Sequence, residues 1–254
     1  MDAKQQLRRY LEQRRELGES EFVLDGVTVD EALRALGATG ASGGPADWRS
    51  TLAKAEVAPS EDVREAEYQS LEEVAAAIRA CTRCGLYKTA TNAVPGDGNP
   101  HAEFVCVGEA PGAEEDRTGK PFVGPAGELL TKILAAIDLT REDVFICNVL
   151  KHRPPGNRNP SPDEVAACKP FLIRQIELIK PKVILALGTF AAQTLLETKL
   201  PIGKLRGQVH RYHGVPLIVT YHPAALLRNA SWKRPTWEDV KLARRILDDA
   251  RARG

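Results

Sequence analysis

No apolar run in this chain approaches the roughly 20 residues that a membrane span requires. Residues 1–6 also lack the apolar core of a signal peptide, so an intracellular, cytoplasmic protein with no membrane partner is expected. A charge excess of either sign is missing too: 35 Lys and Arg stand against 34 Asp and Glu, a net charge of +1. That balance neither demonstrates nor excludes a polyanionic partner, because near neutrality can hide a basic face. Neither GxGxxG nor GxxxxGK[ST] is present, which weakens a nucleotide-cofactor reading of the Gly-rich stretches. With 254 residues, 43% of them hydrophobic, there is material for one sizeable core and a small appendage.

An even cysteine count is the next thing missing. There are five, and Cys81 and Cys84 form a CxxC pair that in a cytosolic chain points to metal or redox chemistry rather than a structural disulfide. Cys106 and Cys147 lie inside short apolar runs, 104–107 and 144–149, and read as core thiols of buried strands. Cys168 and His152 stand with the pair as a combination that suggests a metal centre.

Composition changes along the chain. Residues 1–17 place Leu7, Tyr10 and Leu11 among charged and amide side chains as an amphipathic helix, and Thr28 caps a second expected helix over 28–36. Residues 37–60 turn to Gly, Ala, Ser and Pro, a linker composition. We therefore expect an extension over 1–67, able to dock a protein partner, and a catalytic domain over 68–254. In the latter, helices at 71–80, 127–137, 162–179, 189–196 and 236–252 alternate with strands at 104–108, 144–150, 183–187 and 215–220. The expected fold is α/β: a doubly wound, mostly parallel four-stranded sheet with helices on both faces. Ligands of such sheets bind beyond the C-terminal strand ends, where Glu109, Asn148, Gly188 and His222 fall.

The motifs at those ends are Gly108-Glu-Ala-Pro-Gly112, Glu114-Glu-Asp116, Pro121-Phe-Val-Gly124, Asn148-Val-Leu-Lys151, Arg153-Pro-Pro-Gly-Asn-Arg158 and Tyr221-His-Pro-Ala-Ala-Leu-Leu-Arg228. In order and spacing, over roughly 71–250, they resemble the family 4 uracil-DNA glycosylases, iron–sulfur enzymes of the uracil-DNA glycosylase superfamily. The resemblance implies a DNA-repair hydrolase that flips uracil out of single- or double-stranded DNA and cleaves its N-glycosidic bond. It also implies a monomer associated with the nucleoid.

Such a reaction needs a donor to uracil O2, a carboxylate near the sugar, a reader of the pyrimidine edge and an aromatic platform. Taken alone, a His-Pro pair is equally a strand-end turn, and a loop Glu is more often a solvated one. The resemblance assigns them: His222 as donor, Glu109 as the carboxylate that positions water, Asn148 as reader and Phe122 as platform. It further implies that Gly108 and Ala110 line the base, that Glu115 crowds the C5 edge against thymine's methyl, and that Leu226, Leu227 and Arg228 wedge into the duplex. Lys204, Arg206, Lys233 and Arg234 are candidate phosphate contacts.

One position departs from the pattern. Family members carry four cysteine ligands, and the third falls here on His152. The expectation is a [4Fe-4S] cluster held by Cys81, Cys84, His152 and Cys168, since histidine also ligates iron in Rieske centres. A structural zinc on the same four residues, or Cys147 in place of His152, are the alternatives. The Lys-His pair also occurs in a DNA-crosslinking subgroup, whose nucleophilic histidine sits in an inserted loop. This chain has no insertion and puts Asn157 nearest that place, so turnover with free uracil is expected.

Overall fold

The structure, a computed structural model, describes residues 68–253. The expected helices at 1–17 and 28–36 and the linker at 37–60 lie outside them. Four strands form where they were expected: β2 (Phe104–Gly108), β3 (Val144–Asn148), β4 (Val183–Leu187) and β6 (Val215–Thr220). The first three are buried at every residue, which is why their sequences run continuously apolar instead of alternating. They are parallel, in the order β3-β2-β4-β6.

Among the described residues the sheet has six strands, not four. β1 (Asp97–Gly98) and β5 (Val209–Tyr212) add antiparallel edges next to β3 and β6. β5 escapes a search for apolar runs because His210 and Arg211 occupy its middle, as suits an edge strand with a wet face. Its hairpin to β6 turns on His213 and Gly214, both at positive φ, the two-residue geometry that matches strand twist.

Helices cover both faces. On one side lie α4 (Pro162–Ile179) and α5 (Thr189–Leu195); on the other lie α3 (Pro125–Ala135) and the long α8 (Lys233–Arg253). Cys147 packs with the first layer and Cys106 with the second, both fully buried. Helix α1 (Leu71–Arg79), capped by Ser70, sets Val74 and Ile78 against Phe171 of α4. α4 starts with a capping box in which Ser161 and Glu164 satisfy each other's backbone amides. α8 begins at Lys233, earlier than the expected 236, because Pro235 is tolerated in a first turn, where amides have no helical acceptor. Short helices α2 (Ala113–Thr118), α6 (Ile202–Leu205) and α7 (Pro223–Arg228) sit in the connections.

Candidate active site

Glu109, Ala110, Glu115, Phe122, Asn148 and His222 line one cavity of about 570 Å³ at the C-terminal ends of the parallel strands. Gly108, last residue of β2, makes room for it: a Cβ there would lie 2.7 Å from the Phe122 ring and collide with the Asn148 amide. Any other residue would push the platform and the reader apart.

Asn148 closes β3 and is 1% exposed, and its Oδ1 is buried without a hydrogen-bond partner among the described residues. A buried amide oxygen left unpaired costs about 1–3 kcal/mol, so this acceptor stands prepared for a donor brought by a ligand. The backbone beneath it is tied down. Lys151 Nζ donates to the Asn148 carbonyl at 2.8 Å and to Gln175 Oε1 at 2.7 Å, while Gln175 Nε2 donates to the Pro95 carbonyl at 2.6 Å. Both side chains are 1% exposed, and sequence reading assigned neither. Twenty-four residues separate Lys151 from Gln175, too far for any local pattern to reveal.

His222 is the N-cap of α7, and its Nδ1 accepts the Ala224 amide at 3.1 Å. An accepting Nδ1 carries no proton, so the neutral ring keeps its proton on Nε2. Burial, reinforced by the Arg228 guanidinium and only partly opposed by Glu115, lowers its pKa to about 4. The ring stacks on Phe122 with centroids 5.5 Å apart. Glu109 has its pKa raised, again by burial, which keeps a carboxylate there more basic than one in water.

The Phe122 loop is fastened on two sides. Glu115 accepts the Val123 and Gly124 amides at 2.9 and 3.0 Å and the Gly112 amide at 3.1 Å. Arg141, also missed in the sequence, donates to the Pro121 and Phe122 carbonyls at 2.9 and 3.0 Å. Phe122 itself is held at a φ of 52°, a left-handed conformation that such clamps sustain.

Two expectations need correction. Leu226 is 2% exposed and anchors α7 to the body of the protein, so it is unavailable as a wedge; Leu227, at 54%, and Arg228 face outward. The segment is a helical turn, and one face of it must pack inward. Arg206 is not a spare phosphate contact either, since it pairs with Asp239 at 2.7 Å and lies over the Tyr221 ring.

The four expected metal ligands come from the turn after α1, the loop after the C-terminal end of β3, and α4. Cys81 and His152 share a cavity of about 180 Å³. Cys84 packs against the core cluster that contains Cys168. The Cys168 thiol has its pKa pushed up to about 11, chiefly by burial, with the nearby Cys84 and Cys81 thiols adding to the rise and Lys151 opposing it. His152 is shifted the other way by burial, which favours the neutral, ligating imidazole. Among the described residues, no three His, Cys, Asp or Glu side chains converge on a single ion-sized centre. Three thiols and a neutral imidazole form a donor set that suits either iron or zinc.

A model of the uracil DNA glycosylase superfamily matches residues 95–241, the span that holds the whole cavity. The chain belongs to the uracil DNA glycosylase superfamily. It is similar to the type-4 uracil-DNA glycosylase of Archaeoglobus fulgidus, 48% identical over 181 residues that cover 68% of this chain and 91% of the relative. The type-4 uracil-DNA glycosylase of Thermotoga maritima is 47% identical, covering 70% of this chain and 94% of that protein. A type-5 uracil-DNA glycosylase of Pyrobaculum aerophilum stands further off at 32%, with 62% and 76% covered.

Proposed function

We propose that this superfamily member excises uracil from DNA by hydrolysis, with Glu109, Asn148 and His222 dividing the work. What carries the reading is the Asn148 Oδ1, buried and unpartnered beside a neutral histidine whose proton sits on Nε2. Uracil offers a matching edge. N3-H fills the Asn148 acceptor, O4 takes the Asn148 amide proton, and O2 accepts from His222 Nε2. Cytosine, with an unprotonated N3 and an amino group at position 4, leaves these groups facing like partners. The flipped base lies against Phe122.

Water attacks C1′ as the C1′–N1 bond breaks, and the bonding pair leaves with the base. Negative charge spreads to O2, where a neutral donor strengthens its hydrogen bond as charge develops. Glu109 orients the water, accepts its proton, and offsets the cationic sugar. Free uracil and an abasic site result, in DNA of the cytoplasmic nucleoid. A mass-spectrometric assay on a uracil-containing oligonucleotide is expected to show free uracil with sustained turnover. A stable protein–DNA adduct in SDS instead would turn the reading toward a covalent trap, and binding without release toward a non-catalytic module. Asn157 supports turnover: it lines the cavity, its Oδ1 accepts from Arg153 Nε at 2.8 Å, and an amide is no nucleophile.

For the metal, Cys81, Cys84, Cys168 and His152 are the residues that would hold a [4Fe-4S] cluster. When bound it supplies a structural cross-link, joining the end of α1 and the loop after β3 to α4. Anaerobically purified protein is expected to carry close to four irons and four acid-labile sulfides per chain. Cys168→Ala should lose both and melt at a lower temperature. Stoichiometric zinc without sulfide would overturn the cluster while leaving the uracil site standing.

A further inference from the structure

The first turns of α8 present a surface that the uracil pocket does not use. Lys233, Trp237 and Lys241 recur every four residues and therefore share one stripe of the helix. Trp237 is 39% exposed, with Lys241 Nζ 5.7 Å from its ring centroid. Trp232 shows the contrast: it is stacked on Tyr221, with centroids 4.6 Å apart and planes 10° from parallel. Arg234 is exposed beside the stripe. Glu238 is the nearby acid, and it pairs with Lys241 at 2.9 Å.

The packing of α8 fixes which way this stripe points. Near its C-terminal end, Arg251 pairs with Glu103, the residue before β2, at 2.6 Å. Further up, Asp239 meets Arg206, whose guanidinium lies over Tyr221, the residue after β6. The helix thus runs antiparallel to the parallel strands. At about 1.5 Å per residue, its first turns extend beyond Asp239, past the strand ends, on the pocket side. The pocket mouth leads toward them: Arg228 lines the cavity, Leu227 is exposed, and one short turn, Ala230–Trp232, connects α7 to Lys233.

An exposed tryptophan between two lysines, beside a pocket mouth that carries Arg228, matches the chemistry of an unpaired nucleic-acid strand. Aromatic rings stack on any base, and ammonium groups track the phosphates. A base held inside a duplex hides its faces from such a ring. We propose that Trp237, with Lys233 and Lys241, is a stacking site for a base flanking the extruded uracil in single-stranded DNA. The site makes single-stranded uracil-DNA the better-bound substrate. This rests on the reading that the pocket takes a uracil nucleotide.

The test uses the full chain and fluorescein-labelled 15-nucleotide oligonucleotides without uracil, single-stranded and as the matching duplex, followed by anisotropy. Trp237→Ala is expected to weaken single-strand binding by about tenfold, with the duplex within twofold of wild type and Trp237→Phe restoring most of the loss. For uracil release from a single-stranded 15-nucleotide substrate, the same loss should appear as a KM raised about tenfold in Trp237→Ala at constant kcat. Equal weakening on both DNA forms, or no weakening on either, overturns the stacking site. If wild-type protein releases no uracil from any substrate, the pocket reading fails, while the single-strand comparison still decides the role of Trp237.

Discussion

His222→Gln is expected to lower kcat for uracil release by about 10²–10³-fold, the usual cost of removing one donor to a developing oxyanion. The effect belongs in kcat because the bond to O2 strengthens as charge moves onto the base, whereas Asn148 and Phe122 still hold the ground state. The pH profile separates this from a general histidine acid. His222 is neutral above about pH 4, so its own titration leaves no inflection near 6.5. The acid limb should instead follow Glu109, whose carboxylate form is required and whose pKa burial raises. A bell with an acid limb that disappears in His222→Gln would refute the neutral-donor assignment.

The same shift acts on stability. The folded state resists a proton that the unfolded chain accepts at its ordinary pKa. The contribution is therefore complete above about pH 6.5 and is lost as pH falls toward 4. Thermal melts at pH 7 and pH 4.5 should show a smaller acid penalty for His222→Gln than for wild type.

Gly127→Ala should damage the protein although the position is helical. In an ordinary helix interior the change gains about 1 kcal/mol. Here the added Cβ would overlap the Phe122 backbone, at its Cα, carbonyl carbon and oxygen. Backbone cannot swing aside as a flexible side chain can. It is also pinned, by Arg141 at two carbonyls and by Glu115 at the next two amides. We expect a loss of about 2 kcal/mol in urea unfolding. A shift of the platform by about 1 Å should add a fall of about 10²-fold in kcat/KM. An unchanged or higher stability would mean that the loop is not as rigid as its clamps imply.

Much of this architecture is written locally. Three of the four parallel strands announce themselves because burial on both faces leaves no room for polar residues, and the chemistry-bearing residues fall at their ends. β1 and β5 were not readable that way, for an edge strand can be two residues long or carry His and Arg in its centre. Leu226 and Leu227 are identical letters about 100° apart on a six-residue helix, and only the packing of that helix tells them apart. Gln175 and Arg141 act through backbone carbonyls distant in sequence, and Lys151 links the Asn148 carbonyl to the remote Gln175. No side-chain pattern encodes such partners. The metal ligands stood out by residue type, while the packing of Cys84 against the core that holds Cys168 required coordinates.

Helix α2 carries two neighbouring carboxylates with different charges to keep. Glu115 grips the loop under Phe122, whereas Asp116 accepts the Thr91 and Asn92 amides at 2.8 and 3.2 Å, in the loop that shares a cavity with His152. Each added residue rotates a helix face by about 100°. An insertion between Glu115 and Asp116 would therefore leave one carboxylate on target and swing its neighbour away. Length changes in this six-residue segment should be purged during divergence, even where its exposed Glu114 and Arg117 are free to drift.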